Sequence, residues 1–150
     1  MHNRIYELYE KYKTGIYRYI LSITHDQQLS EDVLQDTFVQ LLNDGICFEP
    51  GKEQAWLYKV ARNKCFNILK RQQKQAELHK PPAVIQPQQW EFIEMIVSLT
   101  AMEQEIVTLK IIGGFTHKEI AKIIGLSVPA TKKRYERAIQ KLRDEMEVLE

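Results

Sequence analysis

Two stretches of the chain gather cationic and hydrogen-bonding side chains at helical spacing. In the first, residues 56–74, six basic residues (Lys59, Arg62, Lys64, Lys70, Arg71 and Lys74) occur without a single acid. On a helical projection Leu57, Ala61, Cys65 and Ile68 form an apolar stripe. Lys59, Asn63, Asn67 and Lys70 line up opposite, with Trp56 among them. Cations fix phosphates, amides hydrogen-bond base edges, and an aromatic ring offers a stacking platform, a mixture suited to unpaired bases. A second reading keeps Trp56 as a core anchor and the lysines as ordinary surface, and this helix alone does not choose between the two.

The second stretch follows Ser127, an N-cap type. Val128, Thr131, Tyr135, Ala138, Ile139 and Leu142 fall on one side of a helix. Pro129, Ala130, Lys133, Arg137, Gln140 and Lys141 fall on the other, with Arg134 at the flank. An apolar back and a cationic front suit a helix lying in a DNA major groove, and small Pro129 and Ala130 at its start allow close approach. Upstream, Thr116 and Glu119 have capping-box spacing, Ile120, Ala121 and Ile124 share a face, and Gly125-Leu126 makes a tight turn. Cap, short helix, glycine turn, second cap and long helix together spell helix–turn–helix. A solvated basic face accounts for the lysines but not for this grammar.

A third face is acidic. Between residues 30 and 43 the apolar stripe is Val33, Leu34, Thr37, Leu41 and Leu42, while Asp32, Gln35, Asp36, Gln40 and Asn43 lie opposite with Val39 in their midst. An apolar residue within an acidic and amide face points to a basic protein partner; the alternative is a solvated face with one stray valine. Catalytic groupings are missing. His2, His25, His79 and His117 are scattered, and no HExxH, P-loop or nucleophile–base pair occurs, so neither an enzyme nor a metal or cofactor site is expected. Cys47 and Cys65 are too far apart for a CxxC motif and suit a reduced, cytoplasmic protein: Cys65 falls on the apolar stripe, and Cys47 reads as an incidental small apolar residue, the alternative being a redox role.

The elements that position these faces are helical nearly throughout. Ile5, Leu8, Tyr9, Tyr12, Ile16, Tyr19, Ile20 and Ile23 recur at steps of three and four, predicting a first helix. A second is expected to open at Ser30 with Glu31 and Asp32 at its positive end, and to close near Asn43. Asp44-Gly45 and Pro50-Gly51 mark a loop, and a third helix is expected over 54–73. Residues 72–89 hold three of the five prolines and few large apolar residues, the composition of a linker. Fully extended, such a segment reaches about 60 Å. Helices resume from about Trp90, with a second capping box at Thr100 and Glu103 and a stop at Gly113-Gly114. The expected fold is all-α: two small helical domains, 1–73 and 90–150, on a flexible linker, 74–89.

Composition agrees: 44% hydrophobic and 27% charged residues are ordinary for a globular chain, and a net charge of +1 excludes a globally basic DNA-coating protein. No apolar run is long enough for membrane insertion, and with Met1-His2-Asn3-Arg4 leading straight into a charged segment no signal peptide is expected.

Three strings in this order, LSEDVLQDTF (29–38), WLYKVARN (56–63) and FTHKEIAKIIGLS (115–127), closely resemble the bacterial RNA polymerase sigma factors, above all the extracytoplasmic-function branch that keeps only sigma domains two and four. The likeness spans about 5–71 and 90–146. It implies that domain two binds core RNA polymerase through Asp32, Gln35, Asp36 and Phe38, with exposed Val39 beside them. It implies that loop 45–53 captures a flipped base of the promoter −10 element and that Lys59, Asn63 and Asn67 hold the melted strand, next to Trp56 and Lys70. Lys132, Lys133, Arg134 and Arg137 match the reader of the −35 element. Pro129, Ala130, Thr131 and Lys133 stand where Gly, Thr, Val and Ser are common, which bears on −35 sequence preference rather than on docking, and Thr131 is expected to loosen domain-four packing slightly. The resemblance also implies an anti-sigma factor as a partner. A rival reading is a helix–turn–helix regulator that binds duplex operators without polymerase.

Overall fold

The computed structural model describes residues 2–45, 48–74 and 87–149. Among them every element is a helix, and the chain separates into two compact units, Met1–Ile85 and Gln86–Glu150. Most of the expected linker, Cys47 and His79 lie outside the described residues.

The first unit is three helices, α1 (His2–Thr24), α2 (Gln27–Asp44) and α3 (Glu53–Lys74), each packed on the other two. Ile5, Leu8, Ile16, Tyr19 and Ile20 of the periodic stripe are buried, as are Val33 and Leu41 of α2 and Leu57, Ala61 and Cys65 of α3. A helix touching two neighbours must bury more than one stripe, and so Leu21, Phe38 and Tyr58 are buried as well. The Tyr19 and Tyr58 rings lie 5.4 Å apart, and burial pushes the Tyr58 hydroxyl up to about 12. The same geometry expels Leu42, expected inside but 46% exposed.

The start of α2 also differs from expectation. His25, in the left-handed region at φ 52°, turns the chain, and Asp26 is the N-cap, its carboxylate accepting the Leu29 N–H at 3.1 Å. Ser30 is instead fully buried one turn in, where its hydroxyl donates to the Asp26 carbonyl at 2.7 Å and lies 2.7 Å from the Thr24 hydroxyl. Both Asp26 and Ser30 are capping types; packing of α1 on α2 selects the earlier one.

The second unit holds α4 (Pro87–Ile96), α5 (Ala101–Ile111), α6 (His117–Ile124) and α7 (Val128–Leu149). Helix α4 begins three residues before Trp90, at a proline, whose missing N–H costs nothing at a first helical position. Both capping boxes form: the Thr100 N–H donates to Glu103 at 2.9 Å, and the Thr116 N–H to Glu119 at 3.0 Å. Helix α5 is the axis of this unit, buried from Glu103 to Leu109. Ile96, Leu99, Val107 and Ala138 make a core with Phe92, Tyr135 and Leu142 against it. Gly113 closes α5 because a Cβ there would sit 2.7 Å from the Leu109 carbonyl oxygen and from the Phe115 ring. Gly125 ends α6 at φ 78°, where its N–H and that of Leu126 both reach the Ala121 carbonyl.

Candidate nucleic-acid interface

In the first unit the loop before α3 is pinned at one end. The Lys52 N–H donates to the Glu49 carbonyl at 3.0 Å across Pro50 and Gly51, with Gly51 at φ 85° as that kind of turn requires. The Glu53 carboxylate accepts the Gly51 N–H at 3.1 Å and the Arg4 guanidinium at 3.2 Å. The backbone N–H groups of Glu53 and Gly51, then Arg4, hold that carboxyl below its ordinary value. This ties the loop to α1 and sets Phe48 against Trp56, ring centroids 5.6 Å apart and tilted by 48°. Trp56 is therefore half-buried against a loop aromatic, not a core anchor; its neighbours Leu57 and Tyr58 are the anchors.

Lys59, Asn63, Asn67 and Lys70 are all exposed along α3, so the projected stripe is present in space. The sequence reading overlooked two residues of this face. Phe66 lies between Asn63 and Lys70 on the same side and is 40% exposed, with the Arg62 guanidinium carbon 4.5 Å above its ring. Its spacing of seven from Lys59 was the signal. Phe48 was overlooked because it lies in an irregular loop.

On α2, Asp32, Gln35 and Asp36 are exposed, and Val39 is 48% exposed. Leu42, one turn on, joins Val39, so the acidic face carries an apolar pair rather than a stray valine. Phe38 departs from the expected role. It is only 6% exposed and its ring meets Tyr9 edge-on at 5.0 Å, so it braces α2 on α1 from inside.

In the second unit Ser127 caps α7, its hydroxyl accepting the Ala130 N–H at 3.2 Å. Thr131 is fully buried, yet its hydroxyl donates to the Ser127 carbonyl at 2.9 Å, so the expected loosening has no unpaired group behind it. Val128, expected inside, is 42% exposed, because the back of α7 meets the core only from Thr131 onward. Pro129, Lys132, Lys133, Arg134 and Arg137 are exposed and Ala130 is partly so. Lys141 is the exception on the cationic side: its ammonium lies 2.8 Å from the Glu103 carboxylate. Burial works to raise the Glu103 carboxyl, but Lys141 and the Thr100 groups outweigh it and the carboxyl sits lower than usual. Where α6 meets α7 the His117 and Tyr135 rings are 5.3 Å apart, and the buried His117 Nδ1 has no hydrogen-bond partner. Burial, then the charges of Lys110 and Lys132, push the imidazole below its ordinary value against the pull of Glu136.

Two all-helical units, one with a helix–turn–helix and the other with an exposed cation, amide and aromatic stripe, define a two-part DNA-binding protein. Residues 8–75 match Sigma-70 region 2, and residues 89–142 match Sigma-70, region 4. The chain is 29% identical to the ECF RNA polymerase sigma factor SigM of Bacillus subtilis, over 91% of either chain. It is 25% identical to SigX of the same organism, over 95% of this chain and 83% of that one. Its fold is similar to that of the sigma factor RpoE from Bartonella quintana, solved in complex with the anti-sigma factor NepR: TM-score 0.76 and 22% identity, over 95% of this chain and 98% of that one. The chain belongs to the sigma-70 family of bacterial RNA polymerase sigma factors, in the extracytoplasmic-function branch, and is a transcription initiation factor that directs RNA polymerase to promoters.

Proposed function

We propose that the two units divide promoter recognition between paired and separated DNA. Helix α7 lies in the major groove of the −35 element, with Pro129 and Ala130 at the point of closest approach, Lys133 and Arg137 facing the groove, and Lys132 and Arg134 on the flanking phosphates. Helix α3 holds the melted non-template strand of the −10 element: Trp56 stacks, Asn63 and Asn67 bond base edges, and Lys59 and Lys70 neutralise phosphate. The pinned loop with Phe48 captures one extruded base. Helix α2 docks on a basic helical surface of core polymerase through Asp32, Gln35, Asp36, Val39 and Leu42. Phe38 contributes by holding α2 in place.

The protein then needs no chemistry of its own. Stacking and hydrogen bonds to extruded bases offset an unstacking cost of a few kcal/mol and shift the duplex toward the open form. The reading rests chiefly on the α3 stripe: an exposed row of cations and amides next to a half-exposed tryptophan serves no packing purpose. An operator-binding regulator leaves that row and the acidic, apolar face of α2 without a use. Work in the cytoplasm follows from the polymerase it serves; among the described residues no helix is long and apolar enough to cross a membrane. Since the similar RpoE was solved with an anti-sigma factor, an inhibitor of that kind is a fitting regulatory partner here.

Run-off transcription tests the proposal. Core polymerase plus this chain is expected to yield specific transcripts from promoters selected out of a random library, and core alone none. Equal band shifts of duplex DNA with and without core, and no transcript, overturn it in favour of the operator-binding regulator.

A further inference from the structure

We propose that Phe66 and Arg62 form a second stacking platform on α3, which receives a base of single-stranded DNA separate from the one at Trp56. The inference rests on the reading of α3 as the strand-holding helix.

A singly exposed apolar side chain is ordinary on a protein surface. The surroundings of Phe66 are not. Its ring is 40% exposed in the middle of a row otherwise made of Lys59, Asn63, Asn67 and Lys70. The Arg62 guanidinium carbon stands 4.5 Å from the ring centroid, within cation–π range. A cation against an exposed ring, with the Asn63 amide one turn before it and the Asn67 amide next to it, offers a base the three contacts it takes from protein: a π-face, an edge partner and a charge for its phosphate. No acid lies between residues 54 and 76 to oppose the negative strand. A peptide partner would need acidic side chains to match this face, and an apolar one would bury its charges unpaired, so a nucleic-acid strand is the occupant that fits both charge and ring.

Phe66 lies ten residues beyond Trp56, about 15 Å along the helix axis at 1.5 Å per residue. Stacked nucleotides advance about 3.4 Å each, so the two platforms are about four nucleotides apart, fewer where the strand is stretched. The face thus grips the strand at two aromatic points with amides and cations between them, which fixes its register and not only its charge.

The experiment uses holoenzyme made from the full chain and core polymerase, and a premelted promoter selected by the wild-type holoenzyme from a random library. 2-Aminopurine is placed in turn at each non-template position of the bubble. Wild type is expected to quench it at two positions. Trp56→Ala removes one, and Phe66→Ala and Phe66→Leu remove the other. Phe66→Trp keeps both, and Phe66→Ala weakens bubble binding about five- to a hundredfold. The Leu and Trp variants both retain bulk at position 66, so their comparison holds even if the Ala variant melts early. A Phe66→Leu protein that quenches and binds like wild type overturns the platform, as does Phe66→Ala without effect where Trp56→Ala acts; the strand-holding reading then survives. If Trp56→Ala and Phe66→Ala are both silent, the strand-holding reading fails and the platform fails with it.

Discussion

Arg134 and Lys141 sit two turns apart on the same flank of α7, both exposed and both cationic, yet they are expected to act in different ways. Only Lys141 is paired, its ammonium 2.8 Å from Glu103. Each phosphate neutralised by a free cation contributes about 0.9 to the slope of log K against log salt. Arg134→Ala is expected to lower that slope by about 0.9, which makes the loss of affinity between 50 and 200 mM salt about 3.5-fold smaller. Arg134→Ala with Lys132→Ala is expected to lower it by about 1.8, about twelvefold over the same range. Lys141→Ala is expected to leave the slope as it is, while removing an ion pair worth about 0.2–1 kcal/mol to the unit's own stability. Fluorescence anisotropy of holoenzyme on a labelled promoter, titrated across that salt range, reads all three. A drop of similar size for Lys141→Ala, or none for the double variant, refutes the division of α7 into a DNA-facing and a self-bonded part.

Three further outcomes are expected. Gly113→Ala forces a Cβ to within 2.7 Å of the Leu109 carbonyl and the Phe115 ring, and overpacking of that kind costs about 1–3 kcal/mol. Melting of the second unit, followed by circular dichroism, should fall by roughly 4–8 °C per kcal/mol, and an unchanged midpoint contradicts the close approach. Val39→Ala with Leu42→Ala should weaken binding to core polymerase about thirtyfold if each half-exposed side chain loses about 1 kcal/mol of burial, with melting unaltered; equal affinity in a binding titration excludes this face as the docking surface. His117 titrates lower when folded than its ordinary 6.5, so its contribution to stability is present above that value and is lost as pH falls below it. His117→Phe, which keeps a ring against Tyr135, should flatten the fall in melting temperature on acidification, and an identical pH profile in the variant assigns the fall elsewhere.

Much of this protein was legible in the order of its residues. Steps of three and four located the buried stripes of α1 and α3, because one face of a helix is the same face wherever the helix is placed. The capping boxes at Thr100 and Thr116 and the stop at Gly125 follow from local hydrogen bonding and φ freedom, which need no partner element. The exposed rows on α3 and α7 were legible for the same reason.

What depended on neighbours was decided only in three dimensions. Asp26 rather than Ser30 caps α2, because the Ser30 hydroxyl finds the Asp26 carbonyl once the helix packs on α1. Phe38 turned inward onto Tyr9 and Leu42 outward beside Val39, because a helix with two partners buries an arc that its own sequence does not define. Lys141 left the cationic front for Glu103, thirty-eight residues away. Periodicity fixes which side chains share a face; which face meets water, and which charge is already spoken for, depends on contacts between residues far apart in the chain.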